Sequence, residues 1–150
     1  MEKRHEAAEL TLTTGSMLSG YFFLADTIQG RVGGERVGDV LNREDGFFPF
    51  GTDSGISLIN RAHVLKVILP ATVIEAQLDA GYDAAKRVNA TLLLTNGEEV
   101  SGLVTVYRPE GRDRLSDYLQ LNDRFRYVEL PDRTVLINST HIVAMSEVAE

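Results

Sequence analysis

One hundred and fifty residues, 43% hydrophobic and 25% charged, make one ordinary domain or two small ones, and they exclude a disordered chain. The net charge of −7 disfavours nonspecific binding to nucleic acid or anionic membrane, and no apolar run nears the ~20 residues of a membrane-spanning helix. There is no cysteine for a disulfide, thiolate metal site or thiol nucleophile, and the opening MEKRHEAAEL lacks the apolar core of a signal peptide, so a cytoplasmic location is expected.

In chain order, a short helix is predicted over residues 2–8, followed by the β-rich LTLTT of residues 10–14 and a tight turn. A strand over 17–25 contains Gly20, which suits the sharp bend of a very small barrel. A short helical insert is predicted over 35–43, then strands over 47–50, 56–60 and 63–69. Pro70 suits a helix start, and Ile74, Leu78, Tyr82 and Ala85 recur at helical spacing. Gly81 weakens the middle of this connector, which reads as one kinked helix or two short ones. The pattern then restarts. TLLLT, residues 91–95, runs into Asn96-Gly97, a hairpin signal because both residues accept positive φ. A strand over 99–107 carries Gly102, a helical insert over 113–121 follows Asp113 as its cap, and strands are predicted over 125–130, 134–138 and 141–148.

The restart is a duplication. SLINRAHV, residues 57–64, returns 78 residues later as VLINSTHI, residues 135–142. Gly20 matches Gly102 at an offset of 82, whereas Arg36, Asp39, Asn42 and Phe47 match Arg114, Asp117, Gln120 and Phe125 at 78. The first copy therefore carries four extra residues, in the glycine-rich loop around Gly33-Gly34. The copies span about residues 9–69 and 90–148, giving two expected units, 1–69 and 70–150. Asn60 and Asn138 end a strand at a corner, where asparagine tolerates a left-handed conformation. Residues 64–69, VLKVIL, are apolar on both faces of a strand. Such an edge needs a partner on its open side, either the sister copy or another chain.

The strand count, the Asn-Gly hairpin with its following glycine, Asp39-Val-Leu-Asn42, and the aliphatic-Ile-Asn-x-x-His-aliphatic corners together resemble the Sm-like (LSm) family in a divergent bacterial tandem form. The Arg-Gly pair of that family's second motif is absent from both copies, and the Asp-to-Asn segment is one residue short. The resemblance implies a mainly β protein of two tandem Sm-like or SH3-like five-stranded bent barrels, each preceded by a helix and carrying a short helical insert. It further implies a homo-oligomer joined through edge strands, in which three chains close a pseudo-sixfold ring. By position it places an RNA-binding or ligand rim at Asp39, Asn42, Asn60, Arg61 and His63, and at Asp117, Gln120, Asn138, Ser139 and His141. Arg61 is the plausible phosphate or stacking contact among them. The residues also admit plainer roles: the asparagines form turns, the histidines bond to backbone, and Asp39 and Asp117 hold Arg36 and Arg114. A protein partner would instead meet the insert at Arg112, Arg114 and Tyr118.

Catalysis is not expected. Asp53-Ser54-Gly55 resembles an aspartic-protease turn, but Pro131 stands at the matching position of the second copy, so the chain supplies no pair of carboxylates there. No nucleophile, base and oxyanion donors cluster, and neither a metal site nor a cofactor is indicated. The expected activity is non-enzymatic binding or scaffolding, with RNA binding as the alternative.

Overall fold

In the computed structural model, residues 3–26, 34–107 and 123–148 are described. In the first half, β1 Lys3–Leu12, β2 Met17–Ala25, α1 Val37–Asn42, β3 Phe47–Thr52, β4 Gly55–Asn60 and β5 Val64–Pro70 follow in order. In the second half come β6 Lys86–Leu94, β7 Glu99–Val106, β8 Phe125–Leu130, β9 Arg133–Asn138 and β10 Ile142–Glu147. All ten strands form one open antiparallel sheet, ordered β10-β6-β7-β8-β9-β5-β1-β2-β3-β4. Each half has the same internal order: fifth strand, first, second, third, fourth. The halves meet where β5 pairs with β9.

Three expectations are corrected. Residues 3–8 do not form a helix: from Lys3 the chain is already β1, in register with β2 from Lys3↔Ala25 to Thr11↔Met17. Glu and Ala favour helix in isolation, but the row of Ala8, Leu10, Phe22 and Leu24 is buried only if β1 is extended. The connector is also not a regular helix. It contains two three-residue 3-10 turns, Ala76–Leu78 and Tyr82–Ala84, separated by Gly81 at φ +82°. Ile74 and Leu78, whose spacing suggested an apolar helix face, are exposed. Finally, the corner asparagines are not left-handed. Asn60 (φ −77°, ψ 119°) and Asn138 (φ −72°, ψ 112°) are extended, and the chain turns through the 3-10 turns Arg61–His63 and Ser139–His141.

One helix, α1, lies within the span 35–43 that was expected to be helical, while the span 113–121 lies outside the described residues. Gly20 and Gly102 serve close approach between strands. A Cβ on Gly20 would collide with the Gly51 carbonyl, and one on Gly102 would lie 2.7 Å from the Glu129 carbonyl.

Two apolar cores flank the β5–β9 seam, and each borrows from the other half. The first gathers Leu10, Phe22, Phe48, Phe50 and Val67 with Val37, Val40 and Leu41 of α1, and it also takes Phe125 and Leu136 from the second half. The second is built on β6–β9 and takes Leu65 from β5. This sharing is why β5 is apolar on both faces: Val67 and Leu69 face one core and Leu65 the other.

Candidate functional site

At the seam the second copy's corner residues reach the backbone of the first copy's corner. Asn138 is fully buried there. Its Oδ1 accepts Thr140 N at 3.1 Å, closing its own turn. Its Nδ2 crosses to the first copy and donates to Val64 O at 3.0 Å and Arg61 O at 3.3 Å. His141 lies beside it, with Nε2 2.8 Å from Ala62 O and Nδ1 3.2 Å from Thr95 Oγ1. A carbonyl only accepts, so Nε2 is the donor to Ala62 O. Ser139 anchors the corner through its backbone, its N donating to Arg124 O at 2.7 Å.

The first copy's corner is built the same way but sits at the far side of the seam. Asn60 Oδ1 accepts Ala62 N at 3.0 Å, and His63 Nδ1 lies 3.0 Å from Thr13 Oγ1. Arg61 is buried. Its Nε and Nη2 donate to Val40 O at 3.1 and 2.8 Å, its Nη1 donates to Phe47 O at 2.9 Å, and its guanidinium lies 5.5 Å from the centre of the Phe48 ring. Burial lowers its pKa from the usual arginine range. Arg61 thus ties α1 to the corner from within and presents no cation at a rim.

Asp39 and Asn42 lie on α1. The Asp39 carboxylate accepts Arg36 N at 2.7 Å and lies 3.8 Å from Arg36 Nε, the pairing anticipated between them. Asn42 reaches the second half: its Nδ2 donates to Phe125 O at 3.0 Å and its Oδ1 accepts Phe125 N at 2.7 Å. Arg112, Arg114, Asp117, Tyr118 and Gln120 lie outside the described residues.

Sequence reasoning missed Glu75. This connector carboxylate is buried, accepts Val37 N at 2.7 Å and Gly38 N at 3.1 Å at the start of α1, and accepts Tyr127 OH at 2.7 Å from β8. Two otherwise orphaned helix N–H groups and a phenol from the other half converge on one carboxyl. Burial raises its pKa, although these three hydrogen bonds and Arg36 oppose the rise. Burial also raises the pKa of Tyr127, and the neighbouring Glu75 charge adds to it. Arg36 fastens the connector, donating from Nη1 to Glu75 O and to Asp79, both at 2.8 Å. A single glutamate in a segment that reads as helix gives no signal of this role. A cavity of about 390 Å³ remains between α1, the connector and β8, lined by Arg36, Asp39, Asn42, Tyr107, Arg126 and Tyr127.

The outer ends of the sheet are the other half of the site. β4 and β10 are the terminal strands and have no strand partner among the described residues on their outer sides. Phe47 and Leu58, the first copy's equivalents of Phe125 and Leu136, are 60% and 69% exposed, against 1% and 0% for their counterparts. Ile56 on β4 and Val143 on β10 are exposed as well.

No group of three metal-ligating side chains occurs among the described residues, and no helix there is long and apolar enough to cross a membrane. No protein-family model, curated protein or solved structure matches the chain. What the geometry defines is a mainly β protein whose two halves share a strand order and are fused edge to edge through β5 and β9.

Proposed function

We propose that this protein is a non-enzymatic, Sm-like binding or scaffold module, in which each half is a small bent barrel and chains assemble through their edge strands. One observation carries the reading. The seam joins the fifth strand of one copy to the fourth strand of the other, and the strands left at the two ends of the sheet are a fourth, β4, and a fifth, β10. The chain therefore holds both halves of a joint that it already makes once internally.

Shifting the observed pairs by the 78-residue repeat gives the register of the outer joint. Lys66↔Ile137 becomes Ala144↔Ile59, and Val67↔Leu136 becomes Met145↔Leu58. In that register Leu58 enters a neighbour as Leu136 enters the first core. Exposed apolar edge strands are aggregation hazards unless paired, and a specific partner strand removes the hazard. A heterologous contact of this kind closes into a ring or runs on as a filament, and three two-copy chains closing a ring is the proposed assembly.

Light scattering on the eluting protein, with absorbance at 260 and 280 nm across the same peak, tests this. A trimer of chains free of nucleic acid is expected. A monomer would remove the assembly, and a particle with excess 260 nm absorbance would restore the RNA alternative. That alternative loses support from the burial of Arg61, its one cationic contact in the first copy.

A further inference from the structure

We infer that Asn60 and His63 form the donor half of a polar lock between chains, whose acceptor half is the backbone carbonyls of Ser139, Thr140 and Ile142 in a second copy. The inference rests on the edge-to-edge assembly proposed above and names the residues that set its register.

The lock is closed once, at the seam. Asn138 and His141 each make two kinds of contact there. One kind lies within their own copy: Asn138 Oδ1 to Thr140 N, and His141 Nδ1 to Thr95. The other crosses to the first copy: Asn138 Nδ2 to Arg61 O and Val64 O, and His141 Nε2 to Ala62 O. At the outer corner the first kind is present in full, through Ala62 N and Thr13. The second kind is missing: Asn60 Nδ2 and His63 Nε2 have no hydrogen-bond partner among the described residues.

The corners are held in the same pose, so the open donors point as the closed ones do. Thr13 N donates to His63 O and Thr95 N to His141 O, both at 2.9 Å. Arg61 N donates to Gly46 O at 2.8 Å, where Ser139 N donates to Arg124 O at 2.7 Å. The backbone angles of the two asparagines differ by only a few degrees. Closing the turn needs only a side-chain acceptor, which aspartate, serine or threonine also supplies. The amide donor of asparagine and the far nitrogen of histidine are surplus to the turn, yet at the seam those are the atoms that cross. Shifted by the repeat, their acceptors Arg61, Ala62 and Val64 become Ser139, Thr140 and Ile142 on the edge that carries β10.

Two substitutions isolate the surplus atoms. Asn60→Asp keeps the acceptor for Ala62 N and turns the donor into a carboxylate facing carbonyls. His63→Asn keeps a polar atom near the Nδ1 position and deletes Nε2, and His63→Gln extends back toward it. The dissociation constant of the full-length assembly is measured by sedimentation velocity, with urea unfolding of the dilute monomer as the folding control. Asn60→Asp and His63→Asn are expected to raise the dissociation constant about tenfold or more, with the monomer's urea midpoint unchanged and His63→Gln recovering part of the loss. The seam counterparts, Asn138→Asp and His141→Asn, are expected to lower the urea midpoint instead. If Leu58→Asp disperses the assembly while Asn60→Asp and His63→Asn leave it intact, the lock is overturned and the assembly stands. If the wild-type chain is monomeric at all concentrations, both fall.

Discussion

β9 and β4 carry the same corner motif and the same place in their copies, yet one lies in the middle of the molecule and the other at its rim. Leu136 and Phe125 are swallowed by the first core, whereas Leu58 and Phe47 stand in solvent. The difference is not one of side-chain type, since leucine faces leucine and phenylalanine faces phenylalanine. It comes from what the chain places alongside. β9 has β5 paired along its outer side, and its neighbour β8 is bound by Asn42 of α1 and by Glu75, whereas β4 has no strand beyond it among the described residues. What a residue contributes to stability is therefore set by which copy carries it and what lies alongside, not by its place within the repeat.

The largest expected effect separates these two regions directly. Phe125→Ala is expected to destabilise the fold by about 3–5 kcal/mol, the range for an aromatic removed from a closed core. Phe47→Ala should change the urea stability of the monomer by less than about 1 kcal/mol and act instead on association. Equal losses in the two variants would break the comparison.

Next in size is the carboxyl that binds α1 to β8. Glu75→Gln places an amide N–H against donors from Val37, Gly38 or Tyr127 and should cost about 2 kcal/mol. It should also alter the pH profile. The folded pKa of Glu75 lies above the ordinary value of 4.5, so the folded chain holds this proton more tightly than the unfolded one. The resulting stability is fully present below about pH 4.5 and is lost as pH rises through the raised value. Urea unfolding across that window should show the Glu75 contribution declining with rising pH, and Glu75→Gln should flatten it.

The smallest effect concerns the ion pair across the seam. Lys66 on β5 meets Glu98 in the turn before β7, and the counterparts at the proposed outer joint are Ala144 and Ser16, which cannot form an ion pair. Glu98 is partly exposed, so Glu98→Gln should cost less than about 1 kcal/mol, and the loss should shrink further with added salt.

Much of this was legible in the sequence, because its signals were ones of alternation and repetition. The two-sided apolar run of β5 announced a strand buried on both faces and in need of a partner, and that partner is β9. The repeated Asn-x-x-His announced a corner. The helix α1 lies within the span 35–43 that the matching stretch capped by Asp113 suggested. What stayed hidden depends on contacts far apart in the chain. The start of β1, residues 3–8, reads as helix because Glu and Ala favour it, and only pairing with β2 decides otherwise. Arg61 looks like a surface cation until α1 and β3 are seen to supply the carbonyls that turn it inward. Glu75 has no local pattern, since its partners lie 38, 37 and 52 residues away.

The central claim is that the outer joint repeats the seam in register. The chain's lack of cysteine makes that directly measurable. In a variant carrying both Leu58→Cys and Met145→Cys, the new thiols face each other across chains if β4 meets β10 as β9 meets β5. Mild oxidation followed by denaturing electrophoresis should then give covalently linked trimers. A control pairing Ser57→Cys with Met145→Cys, one residue out of register, should link poorly. Linkage in the control but not in the register pair, or in neither, would contradict the account.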